Sequence, residues 1–88
     1  MRQPPEYFGE QDLDLVYVAK KLDEALKIEE LFTGVELDYL VEPDRYKGGL
    51  IFPSERIGAF FYVVPEQTEA ARATLKGAGY KPYDVQNP

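Results

Sequence analysis

The chain of 88 residues has no cysteine and no histidine, one serine (Ser54) and one asparagine (Asn87). Without cysteine there is neither a disulfide nor a thiolate metal site, and the redox compartment is constrained only to compatibility with a reducing cytosol. Without histidine, Ser-His-Asp and Cys-His constellations cannot be assembled, and a histidine metal centre is excluded. The neighbouring carboxylates Asp23 with Glu24 and Glu29 with Glu30 point in different directions on a helix and do not make a catalytic pair. The expectation is a protein that is not an enzyme and carries no cofactor and no metal. Long apolar runs are also missing: no window reaches the ~18 consecutive apolar residues of a membrane span, and "MRQPPEYFGEQD" has no apolar signal core. A soluble cytoplasmic protein with no membrane partner is expected.

Sixteen acidic residues against ten basic ones give a net charge of −6. That charge repels phosphate backbones, so nucleic acid is a disfavoured partner. The apolar fraction of 44% and aromatic fraction of 14% lie above the disordered range, so a packed core is expected despite a negative mean hydropathy. A chain this short builds one core. Residues 1–12, with a proline pair and a glycine, read as an N-terminal arm, 13–85 as a single domain, and 86–88 as a tail.

"LDLVYVAK" (13–20) is short and rich in β-branched and aromatic residues, a first strand. From Leu22 to Phe32 the apolar positions Leu22, Ala25, Leu26, Ile28 and Phe32 gather at the helical period, with Gly34 as the stop. "VELDYLVE" (35–42) alternates and reads as an edge strand. "EPDRYKGGLIFPSER" (42–56) reads as a connection. "IGAFFYVV" (57–64) is apolar on both faces, as a central strand is. Pro65 then opens a helix that runs to a glycine stop, and "YKPYD" (80–84) suits a short last strand, with Pro82 tolerable at an edge. The order β-α-β-β-α-β predicts an α+β, ferredoxin-like βαββαβ fold, a four-stranded antiparallel sheet with two helices on one face.

From "VYVAKKLDEALKIEELF" through "FFYVVPEQTEAARATLKGAGY" the chain resembles a small prokaryotic signal-transducing protein family, related in fold to the nitrogen-regulatory PII proteins. The Glu24-Ala25 pair, the "LFTGV" turn and the "VVPEQTEAARATL" junction carry the resemblance. It implies a regulatory or ligand-sensing role, with the connection between strands two and three as the contact loop and Tyr46 inside it.

Within that connection Arg45, Tyr46, Lys47, Gly48, Gly49 and Arg56 are the candidate ligand or partner residues. The glycines would let backbone amides approach an anion, or would simply supply turn dihedrals. Glu29 falls inside the apolar arc of the first long helix. If buried it needs a cation such as Arg56, Arg72 or a ligand; otherwise its stem packs and its head is solvated. With helices on one sheet face, Phe60 and Tyr62 are left on the other, which predicts a homo-oligomer through that face or a cover formed by residues 1–12. RNA binding through strand aromatics is disfavoured, because the glycine of "RIGAFFYV" is displaced from the RNA-recognition pattern and the charge opposes it. The two functional expectations are a non-enzymatic, small-ligand-sensing regulatory module and a protein-interaction adaptor without a ligand.

Overall fold

The arm begins as an extended segment and turns into α1 (Pro5–Phe8), where Pro5 supplies a helical φ at the first turn and Gly9, at φ 65°, ends it. The computed structural model describes residues 1–48 and 54–83. Its further elements are β1 (Asp14–Ala19), α2 (Leu22–Gly34), β2 (Leu40–Gly48), β3 (Ser54–Val63), a 3₁₀ turn (Pro65–Gln67) and α3 (Thr68–Gly77). β3 is central, and β1 and β2 both pair with it antiparallel in the order β1-β3-β2. No helix among the described residues is long and apolar enough to cross a membrane.

One face of the sheet carries the core. Phe61 and Val63 of β3, Val16 and Ala19 of β1, and Leu37 and Tyr39 ahead of β2 are buried with Ala25, Ile28 and Phe32 of α2 and Ala71 and Leu75 of α3. A bulge between Leu15 and Tyr17 breaks the pairing with β3, and Val16 within it is fully buried. Phe32, Tyr39 and Phe61 meet at ring-centroid distances of 5.5–6.0 Å, two of the three pairs edge to face. That arrangement suits the ring quadrupoles.

The four-stranded ferredoxin-like expectation is overturned. The described residues form three strands, and there are three separate helices where two were expected. The last segment shows why the fourth strand does not form over the described residues. Tyr80 gives its N–H to Leu75 at 2.9 Å at the end of α3, Pro82 has no N–H, and only Tyr83 donates to β1, to the Val16 carbonyl at 2.7 Å. Asp84 lies outside the described residues. The extra helix is the arm itself, whose Phe8 is buried.

Within the stretch 42–56, residues 42–48 and 54–56 are paired strand and not loop; 49–53 lie outside the described residues. β2 runs through Glu42, Pro43, Asp44, Arg45, Tyr46, Lys47 and Gly48, each paired with β3, and the return begins at Ser54. Backbone pairing with the central strand overrides the local signals of Pro43 and the glycine. The alternation at 35–42 was displaced for a related reason. Val35 and Glu36 belong to the end of α2, and Val35 is half exposed. Leu22 and Leu26, expected inside the helix, are 77% and 54% exposed. The buried positions 25, 28 and 32 define a narrower arc than the one drawn through every apolar residue.

Both long helices end by the same backbone device. Leu37 N–H reaches back to Phe32 at 2.9 Å and Glu36 N–H to Thr33 at 3.1 Å; Tyr80 N–H reaches Leu75 at 2.9 Å and Gly79 N–H reaches Lys76 at 3.0 Å. The device needs one left-handed residue. In α3 it is Gly79, at φ 88°, and in α2 it is Glu36, at φ 60°, so the stop in α2 is Glu36 and not Gly34.

Candidate ligand-binding site

The sheet face away from the core is set by the register. Leu15 pairs with Tyr62 and Val18 with Phe60 across β1 and β3, and Leu40 and Glu42 sit opposite Tyr62 and Phe60 from β2. Phe60 and Tyr62 therefore do share this face, half-buried beside the half-buried Leu15 and Val18 and the buried Leu40. Burial first, and then the Glu42 and Asp44 carboxylates, push the Tyr62 phenol above its ordinary pKa.

Toward the Ala19 end of β1 lies a cleft of about 680 Å³ lined by Tyr17, Val18, Lys20, Glu24, Arg45, Tyr46, Phe60, Lys81 and Tyr83. β1 and the residue after it supply Tyr17, Val18 and Lys20, β2 supplies Arg45 and Tyr46, and the segment bonded to Val16 supplies Lys81 and Tyr83. Gly58 makes room for the Tyr46 ring: a Cβ there would lie 3.1 Å from two of its ring carbons and 3.1 Å from the Ala19 carbonyl oxygen. The Lys20 ammonium sits 5.5 Å from the centroid of the same ring, a cation over an aromatic face. At the rim the Tyr17 hydroxyl donates to Glu24 Oε1 at 2.9 Å. Burial, and then that carboxylate, push the Tyr17 phenol well above its ordinary pKa.

Among the described residues, three of the ten Lys and Arg side chains of this acidic chain thus line one cleft with a single carboxylate. Lys20 and Lys81 form no ion pair among the described residues. The cleft can accept an anion and present aromatic surface to whatever carries the charge. Among the described residues no group of three or more acidic or metal-ligating side chains is placed to hold a metal ion.

Of the residues singled out in the sequence, Arg45, Tyr46 and Phe60 line the cleft. Arg56 pairs with Tyr46 across the hairpin, Lys47 and Gly48 close β2, and Gly49 lies outside the described residues. Lys20, Lys81, Tyr17 and Tyr83 escaped sequence reasoning, because they come from segments far apart in the chain and only the fold gathers them. Glu29 is elsewhere. Its side chain is 23% exposed and lies 3.7 Å from Arg2, and its Oε1 accepts from the Tyr39 hydroxyl at 3.3 Å. The cation it meets is from the arm, not Arg56 or Arg72; Arg72 donates to the Tyr83 carbonyl at 3.1 Å.

The arm is held through Asp38 and Tyr39. Gln3 Nε2 and the Tyr7 hydroxyl donate to the two Asp38 oxygens at 3.1 and 2.9 Å. The Gln3 amide donates to the Tyr39 carbonyl at 2.8 Å, and Tyr39 N–H donates to the Met1 carbonyl at 3.2 Å. The two side-chain bonds, Gln3 first, hold the Asp38 carboxyl below its usual range.

No family model, no curated protein and no solved structure matches this chain. With three strands and three helices among the described residues and no family match, the resemblance to PII-like signal-transducing proteins is withdrawn.

Proposed function

We propose that the protein is a small-ligand-binding regulatory module that works without catalysis, with its ligand in the cleft between β1, the β2–β3 hairpin and the segment 81–83. The observation that carries this reading is the convergence of Lys20, Arg45 and Lys81 with Tyr46 and Phe60 in a chain of net charge −6. An acidic protein gains nothing in solubility by gathering its cations around aromatic rings, whereas an anionic ligand gains both charge and contact area there. The lack of histidine and cysteine anywhere in the chain supports binding over turnover, since the common nucleophile and base sets are out of reach.

A thermal-shift screen of metabolites tests the proposal, because a ligand that binds only the folded state raises the midpoint by mass action. A ligand at one hundred times its Kd adds about 2.7 kcal/mol. The expected hit is anionic, and its effect falls in Lys81→Gln. Hits that are cationic or neutral, or that ignore Lys81, would argue for another site.

A second reading is favoured by a separate observation. Leu15, Val18, Phe60 and Tyr62 form a half-buried apolar face that no helix covers among the described residues, as a homo-oligomer or an adaptor would require. Light scattering at micromolar concentration distinguishes these outcomes: a dimer supports self-association, and a monomer that also fails the ligand screen leaves the adaptor.

A further inference from the structure

We propose that the groove between α2 and the outer edge of β2 binds an extended basic peptide of a partner protein, added as a strand parallel to β2, with residues 1–3 as its built-in competitor. The groove shares no lining residue with the cleft and does not rest on the reading of the cleft. Tyr39 gives its N–H to the Met1 carbonyl at 3.2 Å and accepts the Gln3 N–H at 2.8 Å, a parallel bridge centred on Arg2. Both backbone polar groups of Tyr39 therefore turn away from β3. The alternation of an antiparallel ladder turns those of Val41, Pro43 and Arg45 the same way. Pro43 has no N–H, and the Arg45 N–H is taken by Asp44 Oδ1 at 2.8 Å. The receptive part of the edge is thus Tyr39 to Val41. The arm leaves it early, because the next arm amide of a parallel ladder would be that of Pro5, which has no hydrogen to give.

The side chains define what the edge would take. Beside Tyr39 lies a hollow of about 660 Å³ lined by Leu26, Glu29, Glu30, Thr33, Gly34 and Tyr39. α2 runs antiparallel to β2 here: Thr33 Oγ1 lies 3.4 Å from the Tyr39 hydroxyl, whereas Glu24 accepts from Tyr17, which pairs with Phe61 opposite Val41. Arg2, at the centre of the bridge, reaches Glu29 at 3.7 Å, and Gln3 donates to Asp38 at 3.1 Å. Strand side chains alternate, so the second residue after the one at Arg2 returns to the α2 side roughly 6.6 Å further on. That matches the rise of about 6 Å from Glu30 back to Leu26 along the helix. Leu26 is 54% exposed and Leu22, one turn beyond, 77% exposed. Glu29, Glu30 and Asp38 with these two leucines fit a peptide that carries a cation and then apolar residues at the second and fourth positions after it.

Arg2 and Gln3 imitate the first half of such a peptide. The Arg2 side chain is 58% exposed in its pair with Glu29, so the pair is held loosely. A peptide that forms the same ladder and adds the leucine contacts displaces it.

The test is an amide-resolved NMR titration of the full chain with the capped peptide acetyl-Ala-Arg-Gln-Leu-Thr-Leu-amide and with the same peptide carrying Glu in place of Arg. The Arg peptide should move the Tyr39 and Val41 amides, leave Val18 and Tyr46 of the cleft unmoved, and bind about tenfold more tightly than the Glu peptide. Leu26→Gln, which spares the buried face of α2, should weaken it by about tenfold without lowering the thermal midpoint. Arg2→Ala should tighten it by roughly threefold or more, because the competitor is weakened; an Arg2 that only supports the fold would not do so. The proposal is overturned if the Arg peptide leaves Tyr39 and Val41 unmoved in both the wild type and Arg2→Ala, or if the Glu peptide binds as well. Unchanged affinity in Leu26→Gln, or none gained in Arg2→Ala, overturns it too. A peptide that moves Val18 and Tyr46 instead has entered the cleft, and shifts of Tyr39 and Val41 with protein concentration alone would assign the groove to a second copy; either result refutes the peptide site.

Discussion

Replacing Glu36 by glycine should stabilise this protein, although it removes a charged side chain from a helix end. Glu36 takes φ 60° in the turn that closes α2. A left-handed conformation costs an L-residue roughly 1–2 kcal/mol. Glycine avoids that cost but gives back a part of it through the greater freedom of the unfolded chain, roughly 0.5–1 kcal/mol. The net expectation is a gain of about 1 kcal/mol, or a rise of roughly 4–8 °C in Tm for a domain of this size. The equivalent position of α3 provides the mirror experiment. Gly79, at φ 88°, has open space around its missing Cβ, so Gly79→Ala isolates the backbone term and should lose about 1 kcal/mol. Urea unfolding of both variants reads the effect as opposite shifts in midpoint at constant slope. Because Glu36 shares a shallow cavity with Asp38 and Glu66, Glu36→Gln serves as the control for relief of like-charge repulsion. A glycine variant no more stable than the glutamine one would refute the backbone argument.

Phe61→Ala should cost about 3–5 kcal/mol, because Phe61 is fully buried and touches the rings of both Phe32 and Tyr39; chemical denaturation measures it. The Asp38 carboxyl is held low by Gln3 and then Tyr7, so its stabilisation is present above the ordinary value of 3.8 and is lost as pH falls through the lowered folded value. Asp38→Asn should accordingly flatten the acid limb of a stability-against-pH curve. For Tyr17 the sign is reversed: burial, then Glu24, raise the phenol above 10.0, so its contribution is complete below that value and fades as pH climbs toward the raised folded one. Tyr62 and Tyr39 are raised as well, so Tyr17→Phe should remove one of several late-titrating tyrosines from the phenolate absorbance curve and leave the others.

The helices and the central strand were legible because their signals are local and redundant. Ala25, Ile28 and Phe32 keep the helical period, and β3 is apolar on both faces because helices pack on one side and its other side is only half solvated. β2 was misplaced by its composition. Pro43, Asp44 and Gly48 look like a turn, and nothing within 40–48 announces that Val41 will lie opposite Phe61, or Tyr46 opposite Arg56. The fourth strand was overread because "YKPY" has strand-like residues of which Tyr80 spends its amide on α3, Pro82 has none and Tyr83 bonds β1, a matter of hydrogen-bond supply that propensity does not record. A smaller part of the cleft was legible. Arg45 and Tyr46 stood out as a cluster in sequence, while Lys20 and Lys81 acquire meaning only when Tyr83 bonds to Val16 and brings the end of the described chain alongside β1.

Tyr39 is buried in the core by its ring, yet both of its backbone polar groups are given to the arm. The amide of this one residue is therefore a clock for the arm. Its hydrogen exchanges when residues 1–3 lift away, even while Phe61 and Val63 remain protected, so a single exchange rate separates undocking of the arm from unfolding of the sheet.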